Sequence, residues 1–303
     1  MGAGHGHGHG PTSAGGRHRW RLTLTFAMVA AFFVVELVVG LVAGSLALIS
    51  DAGHMAADVV ALGAALVATK VAARPDSTGR RTYGSYRAEV FASGFTVLIM
   101  LAVSVYVGVE AIGRFGTTEE ISTGPMLVVG LLGLAVNGVS LLLLRSGAKE
   151  SLNVKGAYYE VVADAAGSVG VIVAGFLVLV SGSPVWDTIV ALAIGVFVAV
   201  RAVGLGRQVL AVLGQHVPAG MEVEAVTADL AAVPGVRDVH DLHVWTLTSG
   251  MHVATAHLVV EDHADGQRVL QAAQDVLRVT HRVEHATLQV EDRPTNACHE
   301  VTW

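Results

Sequence analysis

Ionisable side chains stand deep inside apolar runs of this chain: Glu36 in the first run, Asp51, His54 and Asp58 in the second, Glu160 and Asp164 in the fifth. A charge in a hydrocarbon environment is costly and marks function by default. No Lys or Arg is expected in the interior of any span, so no internal salt bridge is expected to neutralise these acids. Protonation, hydrogen bonding and a bound cation remain. His54 and Asp58 are four residues apart, as are Glu160 and Asp164, so each pair lies on one helix face, one turn apart. If the two faces meet, one imidazole and three carboxylates converge, an N/O set of the kind Zn²⁺ accepts in tetrahedral geometry. A polar helix-packing network and a metal-free proton relay are the competing readings. Glu36 and Asp51 fall outside the set, either lining an access path or protonated and hydrogen-bonded.

A metal needs neutral imidazole and ionised carboxylates, so protons and metal compete for such a site. Loading from the cytoplasm would release protons, and protons arriving from the other side would expel the metal. Helices able to rock about such a site give alternating-access antiport. The chain has no G-x-x-x-x-G-K-[ST] loop for ATP, so an ion gradient is the expected source of energy. Nor does it show a nucleophile–base constellation, so the expectation is a secondary transporter and not an enzyme, with no organic cofactor.

These residues need helices to position them. Of 303 residues, 53% are hydrophobic and only 15% charged, with a mean hydropathy of +0.60, where a soluble domain carries about a quarter charged residues. Roughly twenty apolar residues cross the ~30 Å hydrocarbon core as a helix. Six runs qualify: Leu22–Val42, Leu46–Val71, Val90–Ile112, Met126–Leu144, Tyr158–Val180 and Val185–Val203. Gly40 to Ser45, Arg74-Pro75-Asp76-Ser77 and Ser181-Gly182-Ser183-Pro184 carry the turn chemistry between them. The expected fold is a six-helix transmembrane bundle over residues 19–207. Ala163-xxx-Gly167 and Ala166-xxx-Gly170 are expected to let a neighbouring helix approach closely.

Orientation follows from the Lys/Arg bias. Arg17, Arg19 and Arg21 precede span one, and Lys70, Arg74, Arg80, Arg81 and Arg87 surround the loop after span two. Arg145, Lys149 and Lys155 join spans four and five, and Arg201 and Arg207 are expected to follow span six, while the opposite loops hold only Arg114. Both termini are then cytoplasmic, in a multi-pass protein of the cell (inner or plasma) membrane. The opening residues lack a signal-peptide pattern.

From Gln208 onward the chain reads as a soluble domain, with 13 Asp/Glu against 5 Lys/Arg, a formal charge of −8. Such acidity argues against nucleic acid as a partner and suits cations. Val223–Ala232 reads as a helix, Val236–Leu247 and Met251–Val260 as strands, Gly266–His281 as a helix and Ala286–Glu291 as a closing strand. That order gives a small two-layer α+β domain over residues 208–292. Nine of the fourteen histidines lie in this tail. Strand alternation places His243 with Trp245 on one face and His240 on the other. His5, His7 and His9 form a Gly-rich tract in residues 1–18, suited to loose metal capture. Cys298, the single cysteine, allows no intrachain disulfide; with His299 in the 293–303 tail it offers soft ligands to the same capture zone.

Four motifs occur in one order: Ser50-Asp51-Ala52-Gly53-His54-Met55-Ala56-Ala57-Asp58; Arg81-Thr82-Tyr83-Gly84 with Arg87-Ala88-Glu89; Asp164-Ala165-Ala166-Gly167-Ser168; and Val239-His240-Asp241-Leu242-His243-Val244-Trp245. On these the chain, from about Arg19 to Asp292, resembles the cation diffusion facilitator family, in particular its zinc–cobalt–cadmium branch and the related animal zinc transporters. The resemblance implies a homodimer in the bilayer, with a transport site on spans two and five and a ferredoxin-like or metallochaperone-like cytoplasmic domain that dimerises and binds metal. It carries over His54, Asp58 and Asp164 as ligands, while Glu160 stands where the family commonly has His. A harder oxygen ligand there moves preference towards Mn²⁺ or Fe²⁺. It also implies His240, His243, His257, His285 and Glu291 as ligands of the cytoplasmic domain. The loop from Thr78 to Ser85 holds Arg80 and Arg81 and no His, so the additional metal site of some relatives is expected to be missing. The basic loop is expected to face lipid phosphates or make inter-subunit salt bridges. Zinc is then the expected cargo and regulatory ligand, exchanged for protons. Manganese, iron, cobalt or cadmium as principal cargo is the alternative, and a membrane-anchored metal sensor or buffer is the rival class.

Overall fold

The computed structural model describes residues 19–72, 80–115, 121–146, 152–248 and 250–293. Six helices come first: α1 Arg19–Ala43, α2 Leu46–Ala72, α3 Ala88–Arg114, α4 Thr123–Leu144, α5 Leu152–Ser181 and α6 Val185–Leu213. Then follow α7 Val223–Ala231, β1 Val236–Thr248, β2 Met251–Val260, α8 Gly266–Val279 and β3 Val283–Glu291. Among the described residues five helices are long and apolar enough to cross a membrane, contributed by α1, α3, α4, α5 and α6. The remaining one, α2, is 27 residues long and carries Asp51, His54 and Asp58. The chain divides into two compact units, residues 1–63 with 95–204 and residues 64–94 with 205–303.

The first unit is apolar outside and polar at its centre. Leu41, Val42, Leu98, Val109, Ile112, Leu142, Leu179 and Val200 are all exposed, whereas Glu36, Asp51, His54, Asn137, Asp164 and Ser168 are buried. A soluble protein does not tolerate so continuous an apolar surface; a bilayer requires it. A buried apolar cluster that includes Val29, Phe32, Leu48, Met55, Met126, Val129 and Val171 packs the same unit. Small residues permit the close approaches. Gly133 of α4 faces Phe32 and Ser168, and Gly167 of α5 faces the Asp51 carboxylate. The expected close packing at Ala163-xxx-Gly167 is therefore made against α2.

The reversal between α1 and α2 is held from a distance. Gly44 adopts φ +68°, a conformation that suits glycine, and Ser45 caps α2 by accepting from Leu48 N at 3.2 Å. Asp187, in the first turn of α6 and fully buried, accepts from Ser45 Oγ at 2.6 Å, Leu46 N at 2.7 Å and Ala47 N at 3.2 Å. It thus satisfies donors that a helix start leaves unpaired and favours the positive end of the α2 dipole. Asp187→Ala is expected to destabilise the chain by about 2–3 kcal/mol, read as a lowered thermal midpoint in detergent, with Asp187→Asn losing less.

The second unit contains a three-stranded sheet in the order β1-β2-β3, with β1 and β2 antiparallel and β2 and β3 parallel. The parallel pair requires a crossover, which α8 supplies. Val226 and Leu230 of α7 and Val269, Ala273 and Leu277 of α8 close the core over Val244, Ala254 and Leu258 of the sheet. Spacing of three to four residues puts each helix's set on one face. Asp265 caps α8 through Gln267 N and Arg268 N. The α-β-β-α-β order matches the sequence reading, with β3 starting three residues earlier, at Val283, and α6 running ten residues beyond Val203.

Candidate metal centres

In the first unit α2 and α5 bring together three of the four residues read as ligands. His54 Nε2 lies 3.7 Å from Asp58 Oδ2, its neighbour one turn along α2. It lies 3.6 Å from Asp164 Oδ1 of α5. The ligand atoms of these three residues all fall within 4.8 Å of one another, a separation one cation can bridge. His54 Nδ1, Asp58 Oδ2 and Asp164 Oδ1 are buried and lack a hydrogen-bond partner among the described residues. Unpaired polar atoms in an apolar interior are costly unless something fills the space between them. Exposure rises along the site, from 2% at the His54 side chain and 5% at Asp164 to 28% at Asp58, so it opens towards the C-terminal end of α2.

Glu160 does not join them. Arg201, on α6, donates from Nη2 to both Glu160 carboxylate oxygens, at 2.8 and 2.7 Å. Its Nη1 lies 3.0 Å from His54 Nε2. Phe197, one turn earlier on α6, meets the His54 ring edge-on at 5.9 Å between centroids and lies 5.9 Å below the Arg201 guanidinium. The expectation that no arginine lies inside a span is thereby corrected. α6 continues without a break to Leu213, so Arg201 is well within the helix and reaches the acids. The signal was present in the sequence, because Arg201 falls before Val203, the last residue of the sixth apolar run. Glu36 and Asp51 stay outside the three-residue cluster, both buried and with their carboxyl groups in contact.

A second cluster lies in the C-terminal sheet. His240 of β1 and His257 of β2 are register partners, with rings 5.2 Å apart. The Glu291 carboxylate at the end of β3 approaches His257 Nδ1 at 2.9 Å and His240 Nε2 at 3.8 Å. The ligand atoms of all three lie within 4.8 Å of one another. Asp241 adjoins them, 3.0 Å from His243 Nε2 and 3.8 Å from His257 Nε2.

The placement of His243 differs from strict alternation. Asp241 takes φ +52°, and the register slips between His240 and His243, which pair with His257 and Thr255. The extra residue is a β-bulge, so His240 and His243 share a face instead of opposing one another. His285 is not in the cluster; its ring stands edge-on to Tyr83 at 5.5 Å. In the same unit Thr248 Oγ1 donates to Glu89 Oε2 at 3.1 Å, which gives two residues of the Arg81–Glu89 motif a structural role. His5, His7, His9, Cys298 and His299 lie outside the described residues.

Comparison with known proteins agrees with the two-part architecture. Residues 22–213 match the cation efflux transmembrane domain, and residues 218–293 match the cytoplasmic domain of cation efflux proteins. The metal cation efflux system protein CzcD of Cupriavidus metallidurans is 40% identical over 295 residues, covering 97% of this chain and 92% of that protein. The zinc transporter ZitB of Escherichia coli is 33% identical over 283 residues, 92% and 90% of the two chains. The cadmium, cobalt and zinc/H(+)-K(+) antiporter of Bacillus subtilis is 30% identical over 289 residues, 93% and 91% of the two. The chain is a multi-pass membrane protein that belongs to the cation efflux family of transporters.

Proposed function

We propose that the chain exports a divalent transition metal, zinc first, from the cytoplasm in exchange for protons. The observation that carries this reading is the His54–Asp58–Asp164 cluster, with His54 and Asp164 buried and Asp58 half-buried, whose ligand atoms lie within 4.8 Å of one another. Relatives named for zinc, cadmium and cobalt transport or antiport support the cargo and the coupling. In this reading α2 is a sixth span, both termini are cytoplasmic, and the protein works as a homodimer in the plasma membrane. The site's open end, at Asp58, then faces the cytoplasm, and His54, Asp58 and Asp164 take up metal as their protons leave. Closing that end and opening the other exposes the loaded site to protons, which displace the metal.

The test is zinc uptake into inside-out vesicles under an imposed pH gradient. Uptake should require the gradient, and acidifying the loading side should raise the zinc concentration for half-maximal rate, because protons compete for the same ligands. Movement of manganese or iron without zinc would keep the mechanism and change the cargo. No movement of any metal would leave the sensor or buffer reading.

The His240–His257–Glu291 cluster supports a second role, in which cytoplasmic zinc binds the C-terminal domain and regulates transport. His257→Ala is expected to lower the zinc bound by the purified chain by one ion per protomer, measured by equilibrium dialysis. A stoichiometry equal to that of the unaltered chain would remove this role.

A further inference from the structure

We infer that Arg201 is the charge-balancing residue of the transport site, acting with Glu160 as a neutral unit; the inference rests on the transport reading above. Ligands of a bound metal must be deprotonated, so Asp58 and Asp164 bring two negative charges. Glu160, as the carboxylate paired with Arg201, brings a third, and Arg201 brings one positive charge. Two negative charges remain, which one divalent cation cancels. With Glu36 and Asp51, which lie outside the cluster, in their protonated form, the loaded site is neutral, the state least costly to carry through a low-dielectric interior.

The geometry places this guanidinium at the site and not merely beside it. Nη2 takes up both Glu160 oxygens while Nη1 reaches His54 Nε2 at 3.0 Å, the same nitrogen that faces Asp58 and Asp164. An arginine has no acceptor and stays protonated, so Nη1 donates to Nε2. While it does so, that lone pair is not free for a metal. Loading therefore requires Nη1 to leave His54, and unloading lets it return. Glu160 keeps the arginine close during both, because its own contact uses the other nitrogen. Phe197 gives the guanidinium a second resting surface in the same helix. Arg201 thus selects for charge, since a monovalent ion would leave the loaded site one charge short.

Zinc flux into proteoliposomes carrying the full chain, with a zinc-sensitive dye inside, tests this through KM and kcat separately. Glu160→Gln leaves the arginine unopposed and should raise KM by about tenfold or more, since one uncompensated charge lies close to a divalent ion. Arg201→Gln leaves the site too negative, so KM and kcat should both fall as zinc is held too tightly. Combining the two restores the balance, and KM should recover by at least about tenfold relative to Glu160→Gln alone, a non-additive outcome.

If the double variant does not elute as the native chain on size exclusion, the exchange Glu160→Arg with Arg201→Glu is measured in its place, with the same recovery expected. A KM in the combined variant as high as in Glu160→Gln would show Glu160 to be a ligand in its own right and overturn the inference. So would a raised KM in Arg201→Gln. Absence of flux in the unaltered chain would instead strike the transport reading itself.

Discussion

Asp164→Ala is expected to abolish metal transport, lowering the rate at limiting zinc by at least about a hundredfold, beyond the 10–100-fold that loss of an outer partner of a metal site costs. The reasoning is positional. Asp164 is the residue α5 contributes to the three-member cluster, 3.6 Å from His54 Nε2. His54 and Asp58 both come from α2, so without Asp164 the cluster no longer ties two helices together. Two ligands one turn apart on a single helix cannot surround a cation. The loss of a carboxylate also leaves Arg201 opposing fewer negative charges. Asp164→Asn separates these effects, since it keeps the size and one acceptor oxygen but removes the charge. Vesicle uptake in both variants, with expression and an elution profile like that of the unaltered chain as controls, gives the answer. Retention of more than about a tenth of the native rate in Asp164→Ala would displace the site from α5, given the size of effect expected of a first ligand.

Spacing along a helix is a sound guide to which side chains share a face, because helix geometry alone decides that. Residues four apart share a face whatever surrounds them, so His54 and Asp58 meet at 3.7 Å as the sequence requires. The same spacing holds for Glu160 and Asp164, yet only Asp164 joins. Spacing along one helix says nothing about what a third helix presents, and α6 presents Arg201. The long side chain carries its charge several ångströms from its backbone, so its place near the end of an apolar run hid its reach into the site.

The sheet was legible as strands and turns but not in its facing. Alternation assumes an unbroken ladder, and the left-handed Asp241 inserts the residue that brings His240 and His243 to one side. An aspartate tolerates that conformation better than most residues, but nothing in its neighbours announces it. The role of Asp187 is hidden in the sequence for a different reason. Beside a turn, an acid reads as a cap for its own helix, whereas its partners are Ser45, Leu46 and Ala47, more than a hundred residues away.

Gly167→Ala should reduce transport by roughly ten- to a hundredfold without preventing insertion, because about 1 Å of misplacement in a reacting group can cost two orders of magnitude. Gly167 is one turn from Asp164 on α5, and a Cβ built there collides with the Asp51 carboxylate of α2. Asp51 has little room to withdraw, being 1% exposed in a close-packed interior. The added methyl must therefore push α5 from α2, and these are the two helices whose closeness makes the His54–Asp58–Asp164 cluster. Overpacking of this kind also costs about 1–3 kcal/mol, so a lowered thermal midpoint should accompany the loss. Shortening the obstacle supplies the control. In Asp51→Ala combined with Gly167→Ala the methyl has somewhere to go, and transport should recover relative to Gly167→Ala alone. If Gly167→Ala transports as well as the native chain, α2 and α5 are not held at the separation seen here during the working cycle. If the combined variant is no better than the single one, Asp51 has a part in ion movement beyond filling the space against Gly167, and the access-path reading of that acid takes over from packing.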